Sequence, residues 1–200
     1  MTARKPPPEE TQPLLFNAAD VSHTEARDFY PTPVSDGVGM IQNMGWDVRG
    51  KRVFDPSCGH GNLLEAARLC GAAWTGGFEL SPELARQARN RGHEIVCGDS
   101  LSLEWPPDVD FMIGNPPFSF ALEFAYKLVH WSRGHGRPAA FLLELSFASS
   151  AARRTLHRTH PSFMHVFPNR IHFMGHAKAA NHNYAVFEWG SRRPGAWEVW

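Results

Sequence analysis

The chain has 200 residues, 42% of them apolar and 20% charged, with 20 Lys/Arg against 20 Asp/Glu. That length and apolar share suit one compact domain with a single core, and the charge balance excludes a wholly disordered chain and a generic polycation. No apolar run approaches the roughly 18 residues that a membrane span needs, and no secretory leader opens the sequence, so no membrane role is expected. Cys58, Cys70 and Cys97 are odd in number and form no C-x-x-C pair, which excludes a disulfide framework and points to a reducing cytoplasm.

In chain order, residues 1–27 are polar and proline-rich and read as a flexible arm. Two prolines hold Asp28-Phe29-Tyr30-Pro31-Thr32-Pro33 extended. Ser35 is expected to cap a helix reaching about Trp46. Lys51–Phe54 reads as a strand that stops at Asp55-Pro56. A glycine turn, Cys58-Gly59-His60-Gly61, leads into a helix whose apolar face carries Leu63, Leu64, Ala66, Ala67 and Leu69. A second strand, Ala73–Phe78, ends at Glu79, and Ser81-Pro82 starts a helix with a cap and a first-turn proline. The third strand, Glu94–Cys97, ends at Gly98-Asp99, and the fourth, Val109–Ile113, ends at Gly114-Asn115. A helix over Phe120–Trp131 and a strand over Ala140–Glu144 complete the alternation. Ala148–Leu156 reads as helical, and His165–Phe167 and Tyr184–Phe187 read as strands. The polar link from Pro168 to Asn183 is long enough to suggest a functional loop.

Strands alternating with helices predict an α/β fold with a doubly wound, mostly parallel sheet. Ligands of such sheets bind beyond the carboxyl ends of the strands, where Asp55, Glu79, Asp99 and Asn115 all fall. In the turn Asp55-Pro56-Ser57-Cys58-Gly59-His60-Gly61 the glycines allow close backbone approach. Leu64 stands where a dinucleotide loop needs a small residue, and an acid precedes the turn. A pyrophosphate is repelled by that acid, whereas an ammonium and a sulfonium are not, which favours S-adenosylmethionine. Glu79, followed by Leu80, is placed to accept from ribose hydroxyls, and Asp99, followed by Ser100, from the cofactor's adenine amine. Either acid taken alone is as well explained as a helix cap or surface charge.

Asn115-Pro116-Pro117-Phe118 is the sharpest signal. An adenine amine is a poor nucleophile because its lone pair is delocalised into the ring. The Asn115 side-chain oxygen and the Pro116 carbonyl can accept its two hydrogens and localise that pair. Pro116 and Pro117 fix the turn in advance, and Phe118 offers an aromatic face to an extruded base. From Asn115 onward, 10 Lys/Arg face 4 Asp/Glu, against 10 and 16 before it. This asymmetry suits a polyanionic partner, and equally an ordinary solvated surface.

With these motifs the chain resembles class I S-adenosylmethionine-dependent DNA adenine-N6 methyltransferases with the gamma order of motifs, in the short form carried by phages and mobile elements. Asp55–Gly61 resembles the cofactor glycine motif and Asn115–Phe118 the catalytic N-P-P-F/Y motif. Phe29–Pro33 resembles the amino-terminal cofactor motif, through Tyr30 and Thr32. The resemblance covers residues 28–145 most specifically. It implies a seven-stranded sheet with an antiparallel last strand, a single catalytic domain over 28–200, and contact of Thr32 with the methionine carboxylate. It also implies direct transfer of a methyl group to adenine N6 in DNA, with no metal. The chain has no room for a separate target-recognition domain. Recognition then falls to a loop near 168–183, with Arg170, His172, Lys178 and Asn181 as DNA contacts, or to a partner subunit or homodimer. A short target sequence is expected, in a cytoplasmic, nucleoid-associated or phage-encoded protein. The same catalytic motif also serves enzymes that methylate RNA bases or protein glutamine, and a non-catalytic cofactor- or DNA-binding subunit is the alternative of another class.

Overall fold

Short apolar runs, most of them closed by an acid or a glycine, form strands that stack side by side, the inner ones buried on both faces and the edge strands β3 and β8 largely exposed. A computed structural model of the chain describes residues 30–167, 171, 173, 182–190 and 195–199. The strands are β1 (Arg52–Asp55), β2 (Trp74–Glu79), β3 (Glu94–Cys97), β4 (Phe111–Gly114), β5 (Ala139–Glu144), β6 (Phe163–Val166), β7 (Tyr184–Trp189) and β8 (Trp197–Val199). They form one sheet in the order β3-β2-β1-β4-β5-β7-β6-β8. β1 to β5 pair in parallel, whereas β7 runs antiparallel to both β5 and β6. The helices are α1 (Val34–Asn43), α2 (Asn62–Leu69), α3 (Pro82–Asn90), α4 (Ala121–His135) and α5 (Arg154–Thr159).

Two large apolar layers sandwich the sheet. On one face α1 and α2 pack Met40, Ile41, Leu63 and Ala66 against Val53, Ile113 and Leu142. On the other, α4 and α5 bring Phe124, Leu128 and Leu156 against Phe54, Met112, Phe141 and Phe187. A smaller cluster beneath α3 joins Leu64, Ala85, Ala88 and Ile95. The central strands β5 and β7 are buried almost throughout, as strands covered on both faces must be.

The α/β class and the doubly wound, mostly parallel sheet agree with the sequence reading. The sheet has eight strands instead of seven. The extra strand, β8, pairs in parallel with β6, so the antiparallel strand is β7 and not the last. Three residues are too few for alternation to betray a strand in sequence. Its backbone pairs with β6 over Met164–Val166, and His165 Nδ1 meets Glu198 Oε1 at 2.8 Å across that pair.

Helix ends depart from expectation for local reasons. Pro33, extended at ψ 143°, takes the cap position expected of Ser35. The left-handed Gly45 then turns the chain before Trp46, so α1 ends at Asn43. By contrast, Ser81 caps α3 as expected, its side chain accepting from Leu84 N, with Pro82 in the first turn. The helix expected over Ala148–Leu156 is broken into 3-10 turns at Leu145–Ala148 and Ala151–Arg153, followed by α5. Residues 98–110 cross from β3 to β4 without a helix.

Candidate active site

The parallel strands deliver their polar residues to one edge. Asp55 is the last residue of β1, Glu79 the last of β2, Asp99 lies just past β3, and Asn115 follows β4 directly. Between β1 and α2 the turn folds tightly: Cys58 N donates to the Phe78 carbonyl and Gly61 N to the Cys58 carbonyl. Gly61 has φ +86°, and a Cβ there would lie 2.7 Å from the His93 ring, so glycine is required on two counts. His93 is buried below the turn, its Nδ1 2.8 Å from Thr75 Oγ1, and burial holds it below its ordinary pKa.

The first two acids behave differently. The Glu79 carboxylate ties the turn to β2, accepting from Gly59 N at 2.7 Å and Ser81 N at 2.8 Å. Asp55 is 2% exposed and accepts from Ser57 N through Oδ1. Burial, with a smaller contribution from the charge of Glu79, pushes Asp55 up to about 8. It forms no ion pair among the described residues. Pro56 and Cys58 are buried under it, and burial raises the Cys58 thiol well above the ordinary thiol range. Ser57 Oγ is buried with no hydrogen-bond partner.

Past β3, Asp99 braces its own turn, its oxygens accepting from Leu101 N and Ser102 Oγ. Ser100 faces inward, where its carbonyl and hydroxyl oxygens accept from Trp105 Nε1. The helix-free crossover hangs on Lys127 of α4, whose ammonium donates to the carbonyls of Ser100, Leu101 and Leu103. Leu80 stands exposed beside Glu79.

The fourth strand end is the most constrained. The Asn115 Nδ2 donates to the Tyr30 carbonyl at 2.8 Å and to Thr32 Oγ1 at 3.2 Å. These two acceptors fix which way round the amide sits, so Oδ1 is turned away from them. Oδ1 is buried and has no partner. Leaving such an acceptor unmet costs about 1–3 kcal/mol, which an incoming N–H donor offsets. Thr32, 2% exposed, is held in turn: its carbonyl accepts from Asn62 Nδ2 at 2.7 Å, and Asn62 Oδ1 accepts from Arg91 Nη1 at 2.7 Å. A chain of hydrogen bonds thus runs from the end of α3, through the first residue of α2, to Asn115. The Thr32 hydroxyl proton remains available to a ligand carboxylate.

Beside Asn115, Pro116 is buried and Phe118 half-buried. Phe118 stacks on Tyr30, with centroids 5.5 Å apart, and meets Tyr184 at 5.6 Å. Phe173 closes the cluster against Tyr30 and Tyr184. Immediately before Asn115, a Cβ on Gly114 would lie 3.0 Å from Asp55 Oδ1 and 2.9 Å from the Phe141 ring, so the bare backbone lets β4 close on β1.

Tyr30, Thr32, Asp55–Gly61, Glu79, Leu80, Asp99, Ser100 and Asn115–Phe118 therefore belong to one edge or its immediate support. Arg170, His172, Lys178 and Asn181, the residues 1–27 and most of the expected loop near 168–183 lie outside the described residues. Asn62, Lys127, Phe173 and Tyr184 are contributors that motif reading passes over. Asn62 sits directly after the glycine turn, which is the one local hint among them. Among the described residues, no group of three or more His, Cys, Asp or Glu side chains could hold a metal ion, and no helix is long and apolar enough to cross a membrane.

No family model matches the chain. It is 32% identical over 130 residues to trans-aconitate 2-methyltransferase of Mycobacterium marinum, covering 62% of this chain and 49% of that one. It is 35% identical over 102 residues to the rRNA N(6)-adenosine-methyltransferase Mettl5 of Drosophila melanogaster, covering 44% and 48%. The chain thus spans about half the length of the curated relatives it matches. Among solved structures, the 23S rRNA methyltransferase ErmE superposes with a TM-score of 0.62 at 17% identity, over 84% of this chain and 72% of that one. A protein assigned as a modification subunit of a type I restriction enzyme, from Vibrio vulnificus, does so at 0.62 and 17%, over 94% and 53%. An RNA methyltransferase from Salinibacter ruber in complex with S-adenosyl-L-homocysteine gives 0.51 at 17%, over 80% and 92%. The fold is that of the class I methyltransferases.

Proposed function

We propose that this protein transfers a methyl group from S-adenosylmethionine to the N6 amine of adenine in DNA. The observation that carries this reading is the Asn115 amide. Its nitrogen is held by two acceptors and its buried oxygen is left without a partner, beside a rigid Pro-Pro turn and an aromatic face. That arrangement is built for a planar N–H donor.

The strand edge fits the cofactor. Asp55 is a buried carboxyl with no cation beside it among the described residues, and Ser57 Oγ is a buried polar atom awaiting a partner. Asp55 and Ser57 would receive the amino-acid end, Glu79 the ribose, and the Asp99 turn the adenine. Bound there, S-adenosylmethionine supplies an electrophilic methyl carbon on a sulfonium and departs as the neutral thioether. Asn115 Oδ1 and the Pro116 carbonyl each accept one amine hydrogen of the target base and concentrate its lone pair on nitrogen. As the N–C bond forms, the S–C bond breaks and its electron pair stays on sulfur. Neither Asn115 nor Pro116 is a base, so the surplus proton leaves the methylated nitrogen for water after transfer. Phe118, backed by Tyr30 and Tyr184, holds the ring face and excludes water.

The rRNA-acting relative and neighbour favour a second reading, in which the same adenine amine is presented by RNA. The chemistry at Asn115 is identical, and only the strand carrying the base differs. Incubation of DNA and RNA of matched sequence with labelled cofactor, followed by nucleoside analysis, separates the two. The expected product is N6-methyladenosine's deoxy form in DNA, with Asn115→Ala lowering kcat/KM by about a thousandfold while cofactor binding persists. Label confined to RNA moves the substrate to RNA. Undiminished transfer by Asn115→Ala removes the amide from the reaction.

A further inference from the structure

We propose that the crossover from β5 to β6, centred on Arg154 and Arg158, is the surface that grips the phosphodiester backbone of the substrate. This rests on the reading that the methyl acceptor is a base in a nucleic acid.

Most of the described arginines have a partner inside the protein: Arg89 and Arg91 donate to Ile95 O and Asn62 Oδ1, and the rest fall into two groups. In the first, Arg49, Arg52, Arg68, Arg86 and Arg137 each lie within 3.3 Å of a carboxylate, on Asp47, Asp108, Glu65, Glu83 and Asp110. Their charge is already met inside the protein. In the second, Arg133, Arg153, Arg154 and Arg158 form no ion pair among the described residues. The reason is in the sequence: from Leu145 through Phe187 there is no Asp or Glu at all.

Arg154 and Arg158 are exposed and four residues apart on the six-residue α5, so they share a face. Like charges at that spacing weaken a helix by a few tenths of a kcal/mol. Ordinary surface composition relieves such a pair with an acid; among the described residues no acid pairs with either. Arg153, just before the helix, is held by its own contacts. Its Nη1 donates to the Ser146 carbonyl at 3.1 Å and its guanidinium lies 4.6 Å over the Phe147 ring. Arg133 Nη1 lies 2.7 Å from His160 Nδ1, and burial together with that guanidinium holds His160 below its ordinary pKa. Arg154 and Arg158 therefore present two exposed guanidinium groups suited to phosphate oxygens, while Arg133, in the last turn of α4, is engaged with His160.

Its position suits the role. β5 ends at Glu144, which pairs with Tyr184, and Tyr184 touches Phe118. The crossover therefore leaves the sheet at the strand end beside the aromatic cluster that would receive the base, and α5 then packs Leu156 on the other face of the sheet. A base extruded into that cluster leaves its flanking phosphates at the surface beside it. Glu144 at the root of the crossover is the nearest acid in sequence, and one of its oxygens accepts from Ser146 Oγ.

The test compares the wild type with Arg154→Gln/Arg158→Gln, and with Arg68→Gln as a control from the paired group. Binding of a short labelled DNA duplex and of an RNA of the same sequence is followed by anisotropy between about 50 and 200 mM salt. Losing two phosphate contacts should weaken binding by about tenfold or more at low salt. It should also flatten the log–log salt slope by about 1.8 for duplex DNA, or about 1.4 for a single strand. Arg68→Gln should change neither quantity, and cofactor affinity should be unaltered in both variants. An unchanged salt slope in the double variant, with methyl transfer intact in the wild type, overturns this surface and leaves the proposed reaction standing. A wild type that binds cofactor but neither nucleic acid overturns both.

Discussion

The two ends of the sheet edge dispose their polar groups in opposite ways. Around β1 and β2 the polar groups are spent on one another: Glu79 on Gly59 and Ser81, Asn62 on Thr32 and Arg91, surface arginines on neighbouring acids. What is left unmet there is small and specific: Ser57 Oγ, His93 Nε2 and Asn115 Oδ1 are buried without a hydrogen-bond partner, and the buried Asp55 carboxyl has no ion pair among the described residues. Past β5 the balance reverses, with guanidinium groups that no acid answers. A rigid, satisfied frame with a few vacancies suits a small ligand of fixed shape. An unneutralised surface suits a long polyanion bound in many registers. The contrast predicts different responses to salt and to single substitutions.

After the loss expected of Asn115→Ala, the largest effect expected in the first region is at Asp55. Asp55→Asn should weaken cofactor binding by about a hundredfold, by removing the buried carboxylate at the end of β1 that would meet an ammonium. It should at the same time stabilise the protein. Unfolded, Asp55 loses its proton near 3.8, whereas folded it keeps it to about 8, so the fold loses stability as pH rises through that window. The variant lacks that loss, and its Tm at neutral pH should exceed the wild type's. Wild-type cofactor affinity should rise with pH up to about 8, where the carboxylate forms, and the variant's should not. Calorimetric titration at several pH values reads both, and a flat wild-type profile would detach Asp55 from the ammonium.

A smaller effect is expected at Asn62, which touches neither ligand. Asn62→Leu frees the Tyr30–Thr32 segment and with it the Asn115 amide. We expect kcat to fall by about 10- to 30-fold with cofactor KM unchanged, as misplacement of a reacting group demands. A change confined to KM would make the chain of hydrogen bonds part of cofactor binding only. The smallest is Lys127→Met, which releases the β3–β4 crossover. Cofactor KM should rise a few-fold and kcat stay constant, since the loosened turn bears on the adenine end alone. All three variants should keep the wild-type salt slope for nucleic acid; a change in any of them erases the division between the two regions.

Much of the first region was legible in the sequence because its signals are local. An acid closing an apolar run, a glycine turn and an Asn-Pro-Pro corner each declare themselves within a few residues, and the alternation of runs places them on one edge. The supports were not legible because they join distant parts of the chain. Asn115 and Tyr30 are 85 residues apart, Asn62 and Thr32 are 30 apart, and Lys127 reaches back 24 to 27 residues. No periodicity reports such contacts. Tyr184 reads as a strand residue, and only the antiparallel turn of β7 beside β5 brings it to Phe118. Conversely, the helix expected over Ala148–Leu156 was overestimated because Ser149 and Ser150 interrupt it, Ser149 Oγ turning back to the Ser146 carbonyl.

Gly114 carries a meaning beyond packing. It stands between the residue that would seat the donor molecule and the residue that would seat the target base, with no side chain of its own in the gap. The span between the two seats is thus gauged by a hydrogen atom. In-line methyl transfer tolerates little slack in such a span, so under the proposed reaction its reach would be set by the backbone's closest approach, like the gap of a spark plug.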